Sequence, residues 1–446
     1  MTDSKTLAAE YHSRKPAGKL SINVTKPCNT QDDLSLAYTP GVGSVCQEIA
    51  DEPEKVFTYT NKGNTVAVIS DGTAILGMGN IGPEAGLPVI EGKSILFKQF
   101  ADVDAFPLCL RLPHVSDIDD PEYAREFAKA CASLAPSISA YNLEDIKAPQ
   151  CFAVQEELEK LVDVPVFHDD QNGTAIILTA GLLNALSVVN KNIGDVKIVL
   201  NGAGAAGIAI VKLLLEFGVT KNQLWLCDTK GLITTDRGEL HWSKAMVARD
   251  HAPQDLAATL VDADVFIGVS TRDLVNQEMA STMAPDAIVF AVANPVPEIM
   301  PDVARAAGVR VIGTGRSDFP NQVNNSLGFP GVFRGALDVA ATEINREMRI
   351  AATMALAELA KEPFPKEISD RLKTAYPLES ELGVFDREYP IGDDYVIPKQ
   401  FDLRVVPRLA RAVAEAAMET KVAKKSIADL DAYEKEVYDR ILQLWN

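Results

Sequence analysis

Short apolar runs recur along the first two thirds of the chain, at 65–70, 105–110, 137–141, 164–167, 196–200, 223–227, 265–269, 287–293 and 309–313. Their β-branched and apolar content reads as strand. Between them lie segments with helical spacing, at 94–100, 121–134, 150–161 and 208–217, the second with proline in its first turn. Strands alternating with helices predict a parallel α/β arrangement. A longer apolar stretch, 173–189, reads as a buried helix crossing into a second domain. Thr179, Gly181, Asn184 and Ser187 interrupt it, and it is too short and too polar to span a bilayer. Residues 1–35 are polar, with one helix and an extended arm expected, and 362–402 reads as irregular. Helices are expected over 334–361, 403–418 and 427–445. The last places Ile427, Leu430, Tyr433, Val437, Ile441 and Leu444 on one face, so it packs against something.

Composition narrows the class. The 446 residues suffice for two or three domains. A formal charge of −19 argues against nucleic acid or an anionic membrane as partner. Six cysteines without CxxC spacing fit reduced, intracellular thiols. The N-terminus carries acidic residues and no apolar core, so it does not read as a signal peptide. A cytoplasmic protein is expected.

The acidic stretch 142–174 carries the first chemistry. It opens with Asn142-Leu143-Glu144-Asp145 and closes with His168-Asp169-Asp170-Gln171-Asn172-Gly173. The run 164–167 reads as a buried parallel strand, which sets Asp169 and Asp170 at its carboxyl end, the ligand edge of an α/β sheet. Adjacent residues on a strand face opposite ways, so at most one of each acidic pair points easily at a shared ion. The flanks are apolar, and an unpaired carboxylate there is costly. A hard divalent cation held by oxygens resolves that cost, and no Cys or His spacing suggests zinc. The stretch reads as half of a Mg²⁺ or Mn²⁺ site.

The second chemistry is a dinucleotide turn. The strand 196–200 runs into Asn201-Gly202-Ala203-Gly204-Ala205-Ala206-Gly207, and an apolar helix follows. The next strand ends at Asp228, 21 positions beyond Gly207 (228 − 207). Strand, GxGxxG, helix and distant carboxylate together make the Rossmann fingerprint. The glycines admit the pyrophosphate, and the helix N-terminus stabilises its charge. Lys230 either solvates a turn or reaches a ribose 2′-phosphate. Asn294 ends a later strand at the expected nicotinamide edge. Asn324 and Asn325 sit in a loop bounded by Gly and Pro, where asparagines are ordinarily turn-formers. Lys93 is placed at the start of a helix, where it is either solvated or has its pKa lowered to serve as a base. Tyr38 precedes the turn Thr39-Pro40-Gly41, as a packing residue or a proton donor in a cleft. A dinucleotide domain with an oxygen-only metal site points to metal-assisted oxidation of a chelating α-hydroxy acid, with the metal also able to hold an enolate after CO₂ departs.

The segments YTPGV (38–42), SDGTAILGMGNIG (70–82), EGK (91–93), NLEDIKAPQCF (142–152), HDDQNGTA (168–175), GAGAAG (202–207), ANPVPEI (293–299) and the Asn324-Asn325 loop resemble malic enzyme, in its short bacterial form. The resemblance implies an α/β chain of two parallel-sheet domains with C-terminal helices returning toward the cleft. These would be a substrate and metal domain (1–170), a Rossmann NAD(P) domain (171–333) and a helical segment (334–446). It implies Glu144, Asp145 and Asp170 as metal ligands, Lys93 as general base, Asp169 beside it, and Tyr38 as the acid that protonates the enolpyruvate carbon. Asn294 and Asn325 match substrate-contacting amides. Gly202, Gly204, Ala205, Ala206, Gly207, Asp228, Lys230, Asn294 and Asn324 match the coenzyme site. The implied reaction is oxidation of (S)-malate to pyruvate and CO₂ with NADP or NAD and Mg²⁺ or Mn²⁺, by a homodimer or higher oligomer.

The chain departs from the family at Asn172, where short bacterial relatives commonly have His, and at Ala74, where larger eukaryotic members carry Arg. It also stops near Asn446, without the phosphotransacetylase-like extension of the long bacterial type. Two rival readings remain at this level. One is a metal-dependent 2-hydroxy acid dehydrogenase without efficient decarboxylation. The other is a non-catalytic NAD(P)-binding regulator, which predicts loss of Lys93, Tyr38 or the carboxylates.

Overall fold

The structure, a computed structural model, describes residues 4–112, 115 and 117–445. Two sheets carry the chain. The first has four parallel strands in the order β2-β1-β3-β4, where β1 is Thr65–Ser70, β2 Asp104–Cys109, β3 Ala140–Leu143 and β4 Val166–His168. The second is built from β5 (Ile198–Asn201), β6 (Leu224–Asp228), β7 (Gly231–Leu232), β8 (Val265–Gly268), β9 (Ile288–Ala291) and β10 (Val311–Thr314). Its order is β10-β9-β8-β5-β6-β7, all parallel except the short β7, which turns back on β6. The order reverses between β5 and β8, the switch point at which α/β sheets bind ligands. Two parallel sheets with a helical C-terminus are what the sequence pattern predicts.

The buried helix Thr174–Val188 joins the two sheets and is apolar on nearly every face, so it is interior to both. The last helix, Leu430–Trp445, buries Tyr433, Val437 and Ile441 as expected, while Leu444 at its end is exposed. Trp445 packs on Phe100 and Phe401 at 5.3 and 5.7 Å. Arg440 meets Asp102 at 2.6 Å, and the Tyr433 hydroxyl donates to Asp338 at 2.7 Å. The C-terminal helices thus close back onto the helix Pro83–Ala101, which packs on the first sheet.

Three expectations need correction. The helix that carries Lys93 spans Pro83–Ala101, so Lys93 is in its middle and the positive end of the helix lies nearly three turns away. Gly86, Pro88 and Gly92 read as breakers in the sequence, but packing overrides them: Gly86 lies so close to Ile75 that an added Cβ would come within 2.8 Å of its side chain. The stretch expected to be irregular holds helices at Lys366–Ala375 and Pro377–Glu381, fixed by burial of Ile368 and Leu372 four positions apart. Residues 1–35, expected to hold one helix and an extended arm, hold the helix Ser4–Ser13 and the start of a second, Gln31–Ala37.

Helix Phe329–Asp338 meets helix Val405–Glu419 at backbone distance. A Cβ at Gly335 would sit 2.4 Å from the Ala410 carbonyl oxygen, and one at Gly331 would sit 2.5 Å from Leu409 Cβ. Gly335→Ala is therefore expected to destabilise the protein by about 1–3 kcal/mol, as overpacking does. Urea unfolding reads this, and an unchanged midpoint would mean that the two helices part at no cost.

Candidate active site

Strand β3 ends at Leu143 and β4 at His168, and these two residues are register partners. The following residues, Glu144-Asp145 and Asp169-Asp170, are therefore carried out of the same sheet edge side by side. Ligand oxygens of Glu144, Asp145 and Asp170 all lie within 4.8 Å of one another. Glu144, Asp145 and Asp169 are buried. Beyond β4 the chain makes a π-turn, Asp169–Gly173, before the helix Thr174–Val188. A Cβ at Gly173 would lie 1.9 Å from Asp169 Oδ1, so only glycine fits. The turn sends the two aspartates to different places. Asp170 Oδ2 accepts from the Asp145 N–H at 2.7 Å, while Asp169 turns to Lys93.

Lys93 Nζ hydrogen-bonds to Asp169, meets Glu144 at 3.0 Å and donates to Asn325 Oδ1 at 3.3 Å. Burial alone would lower its pKa, but Asp169, Glu144 and Asp170 outweigh that and hold it above the ordinary lysine value. The carboxyls move the same way: burial, then Asp170, pushes Asp145 up to about 8, and burial raises Glu144 and Asp169. Asp145 Oδ2 and Asp169 Oδ1 are buried without a hydrogen-bond partner. An oxygen cluster that holds so much charge out of water, with an unpartnered donor atom aimed inward, fits a hard divalent cation. His168 is fully buried beside it, with Nδ1 3.7 Å from Asp170, and burial lowers its pKa to about 4, so it is neutral at physiological pH.

The dinucleotide turn also follows the expected geometry. Gly202 has φ +121°, and a Cβ there would strike the Val269 carbonyl oxygen at 2.6 Å. Gly207 underlies Gly202 so closely that its Cβ would fall 1.8 Å from the Gly202 carbonyl oxygen, while Gly204 faces open space. Ala205 and Ala206 open the helix Ala205–Glu216. Asn294 follows β9 in an exposed turn, with its carbonyl oxygen facing Gly77 of the Gly-rich loop after β1. Asn324 accepts from the Ser326 N–H at 3.0 Å and so caps the short turn Asn325–Leu327 that presents Asn325 to Lys93.

Lys93, Glu144, Asp145, Asp169, Asp170 and Asn325 are thus brought together. Tyr38 is not: it ends the helix Gln31–Ala37 and is 69% exposed. Lys230 is exposed, and only its backbone N–H reaches Asp228. The side chains on Asp228 are instead Arg237 at 2.7 Å and Lys244 at 2.8 Å, which sequence reasoning missed. No spacing rule marks them, because β7 creates their proximity by folding the chain back. Asn172 lines a cavity of about 230 Å³ together with Lys212 and Arg349. Ala74 donates its N–H to the Asp145 carbonyl at 3.0 Å, so that position serves the cluster through its backbone.

Comparison with known proteins bears on the whole chain. Residues 17–159 match a family model described as malic enzyme, N-terminal domain, and residues 171–375 match one described as malic enzyme, NAD binding domain. The bifunctional malic/malolactic enzyme of Bacillus subtilis is 49% identical over 423 residues, covering 94% of each chain. The NADP-dependent malic enzyme of Escherichia coli is 46% identical over 96% of this chain, which spans only 54% of that relative's length. A crystal structure of malic enzyme from Pyrococcus horikoshii superimposes with a TM-score of 0.85 at 39% identity, covering 99% of this chain and 96% of the other.

Proposed function

The chain belongs to the malic enzyme family, and from that premise we propose that it oxidises (S)-malate to pyruvate and CO₂ with reduction of NADP or NAD. The observation that carries this reading is the pairing of Lys93 with Glu144 and Asp169 beside the oxygen cluster of Glu144, Asp145 and Asp170 at the open end of the first sheet. Those three would hold Mg²⁺ or Mn²⁺, which supplies Lewis-acid stabilisation of a carbonyl or enolate oxygen. A cation held there would offset the carboxylate charge that keeps Lys93 protonated, and the freed amine would then take the proton of the malate hydroxyl. Asp169, hydrogen-bonded to Nζ, fixes where the base points, and Asn325 holds the same nitrogen from the other side. Asn294 and Asn325 contact the substrate, and the turn at Gly202, Gly204, Ala205, Ala206 and Gly207 receives the coenzyme pyrophosphate. The test is release of pyruvate together with reduced nicotinamide from malate, with and without Mn²⁺. Reduced nicotinamide without pyruvate would favour a plain 2-hydroxy acid dehydrogenase. No turnover at all would favour a non-catalytic regulator.

Tyr38 completes the reaction by protonating the enolpyruvate carbon, and it must be brought to the cleft to do so. The N-terminal region that carries it also exposes Ile22, Val24, Leu34 and Leu36, with Ile22 at 92%. An apolar arm of this kind supports a homodimer in which contact between copies covers it. Light scattering of an active sample is expected to give about twice the chain mass, and an active species of 48.1 kDa would count against it.

We also place the protein in the cytoplasm, a reading supported by six free thiols. No helix among the described residues is long and apolar enough to cross a membrane. The units 1–170, 171–333 and 334–446 are proposed as functional divisions rather than separable bodies, since helix Phe329–Asp338 runs across the second boundary.

A further inference from the structure

We propose that Asn142 is a positioning residue for the metal site, its side-chain amide holding the Glu144 carboxylate in the orientation that binds a divalent cation. The proposal rests on the metal reading of Glu144, Asp145 and Asp170. Asn142 is fully buried on β3, and its register partners are apolar, Val68 on β1 and Phe167 on β4. A polar side chain in such a place is costly unless it is hydrogen-bonded. Asn142 is only half satisfied. Its Oδ1 is buried without a partner, while its Nδ2 donates to Glu144 Oε2 at 3.0 Å. An apolar residue would suit this strand position better, so what the amide contributes lies in that one bond.

Asn142 and Glu144 are alternate residues at the end of an extended segment, which puts their side chains on the same face. The last torsion of a glutamate is broad and roughly two-fold, so its carboxylate needs partners to fix its plane. Here the two oxygens have different ones. Oε2 faces the Asn142 amide, and Oε1 faces the Lys93 ammonium at 3.0 Å. Lys93 cannot keep that role in a loaded site, because an ammonium and a divalent cation repel each other across one carboxylate. The amide carries no charge, so it holds Oε2 whether or not a cation is present. Its neighbours in the cluster have anchors of their own. Asp170 accepts from the Asp145 N–H, and the Asp145 carbonyl accepts from the Ala74 N–H. Asn142 is the corresponding anchor for Glu144.

Titration of the metal-free chain with Mn²⁺, followed by the electron paramagnetic resonance of the free ion, tests this without malate, coenzyme or turnover. Asn142→Leu keeps the branched shape of the side chain and removes the donor. It should still unfold cooperatively, and it should bind Mn²⁺ about 10- to 100-fold more weakly than the native chain, the range for losing a group that orients a metal ligand. Asn142→Ala removes the same donor and leaves space instead, so it should show a similar loss. Val68→Ala disturbs packing at the neighbouring register position and changes no polar group. It should lower the unfolding temperature and leave Mn²⁺ affinity near native. Native affinity in either Asn142 variant, an equal loss in Val68→Ala, or failure of both Asn142 variants to fold would overturn the inference and leave the metal reading standing. A native chain that binds no Mn²⁺ would overturn both.

Discussion

Lys93→Ala is expected to lower malate turnover by about 10²–10⁴-fold, the range that a positioned acid–base group supplies. It should lower decarboxylation of added oxaloacetate as well, because Lys93 contacts Glu144 and Asp169 and therefore stands at the centre where both partial reactions occur. The substitution also leaves a buried acidic cluster with no internal cation, so its fold must be checked by cooperative unfolding and by binding of 5′-AMP at the distant Rossmann turn. A folded variant that still oxidised malate at near the native rate would show that the lysine is not the base. Losses from groups that act together do not add, so a double change with Asp169 should cost little more than Lys93→Ala alone.

Removal of divalent cations is the second large effect. A chelator is expected to abolish turnover, Mn²⁺ or Mg²⁺ to restore it, and either cation to raise the unfolding temperature of the metal-free protein. Full activity in chelator would refute the oxygen-ligand site. The pH dependence of the metal-free protein follows from the same cluster. Asp145 titrates near 8 when folded, well above an unfolded aspartate, because of burial and then Asp170. A raised folded pKa means that the native state binds the proton more tightly than the unfolded one. Stability contributed at this position is therefore lost as pH climbs from the ordinary carboxylate range toward 8. A bound cation should flatten that decline.

Much of this site was legible before any coordinates. Apolar runs ending in Glu144-Asp145 and Asp169-Asp170 announced two neighbouring strand ends, and parallel pairing of β3 with β4 does the rest. The Gly202–Gly207 turn was equally readable, since its glycines answer to contacts that any Cβ would violate. The helix around Lys93 was misjudged because propensity treats Gly86, Pro88 and Gly92 as breaks, whereas burial against β1 and β2 decides there. That error also placed Lys93 at a helix end and invited a lowered pKa, when its neighbours raise it. The partners of Asp228 were out of reach altogether: Arg237 arrives by a two-residue antiparallel strand and Lys244 by a four-residue helix, elements too short to leave a periodic signal. Tyr38 marks a different boundary, since its motif was readable in the sequence while the chain leaves the side chain exposed.

The π-turn Asp169–Gly173 also limits how this chain can vary in length. Successive residues of a helix are rotated by about 100° about its axis, so deleting one residue here would swing every earlier side chain by that angle against the fixed helix Thr174–Val188. Asp169 would be turned toward the place that Asp170 now holds and Asp170 toward that of Gln171, so Lys93 would lose a partner without any acidic residue having been removed. Substitution outside Gly173 leaves the destinations of both carboxylates intact, whereas insertion or deletion shifts them. Register across five residues, as much as their identity, sets where each charge ends.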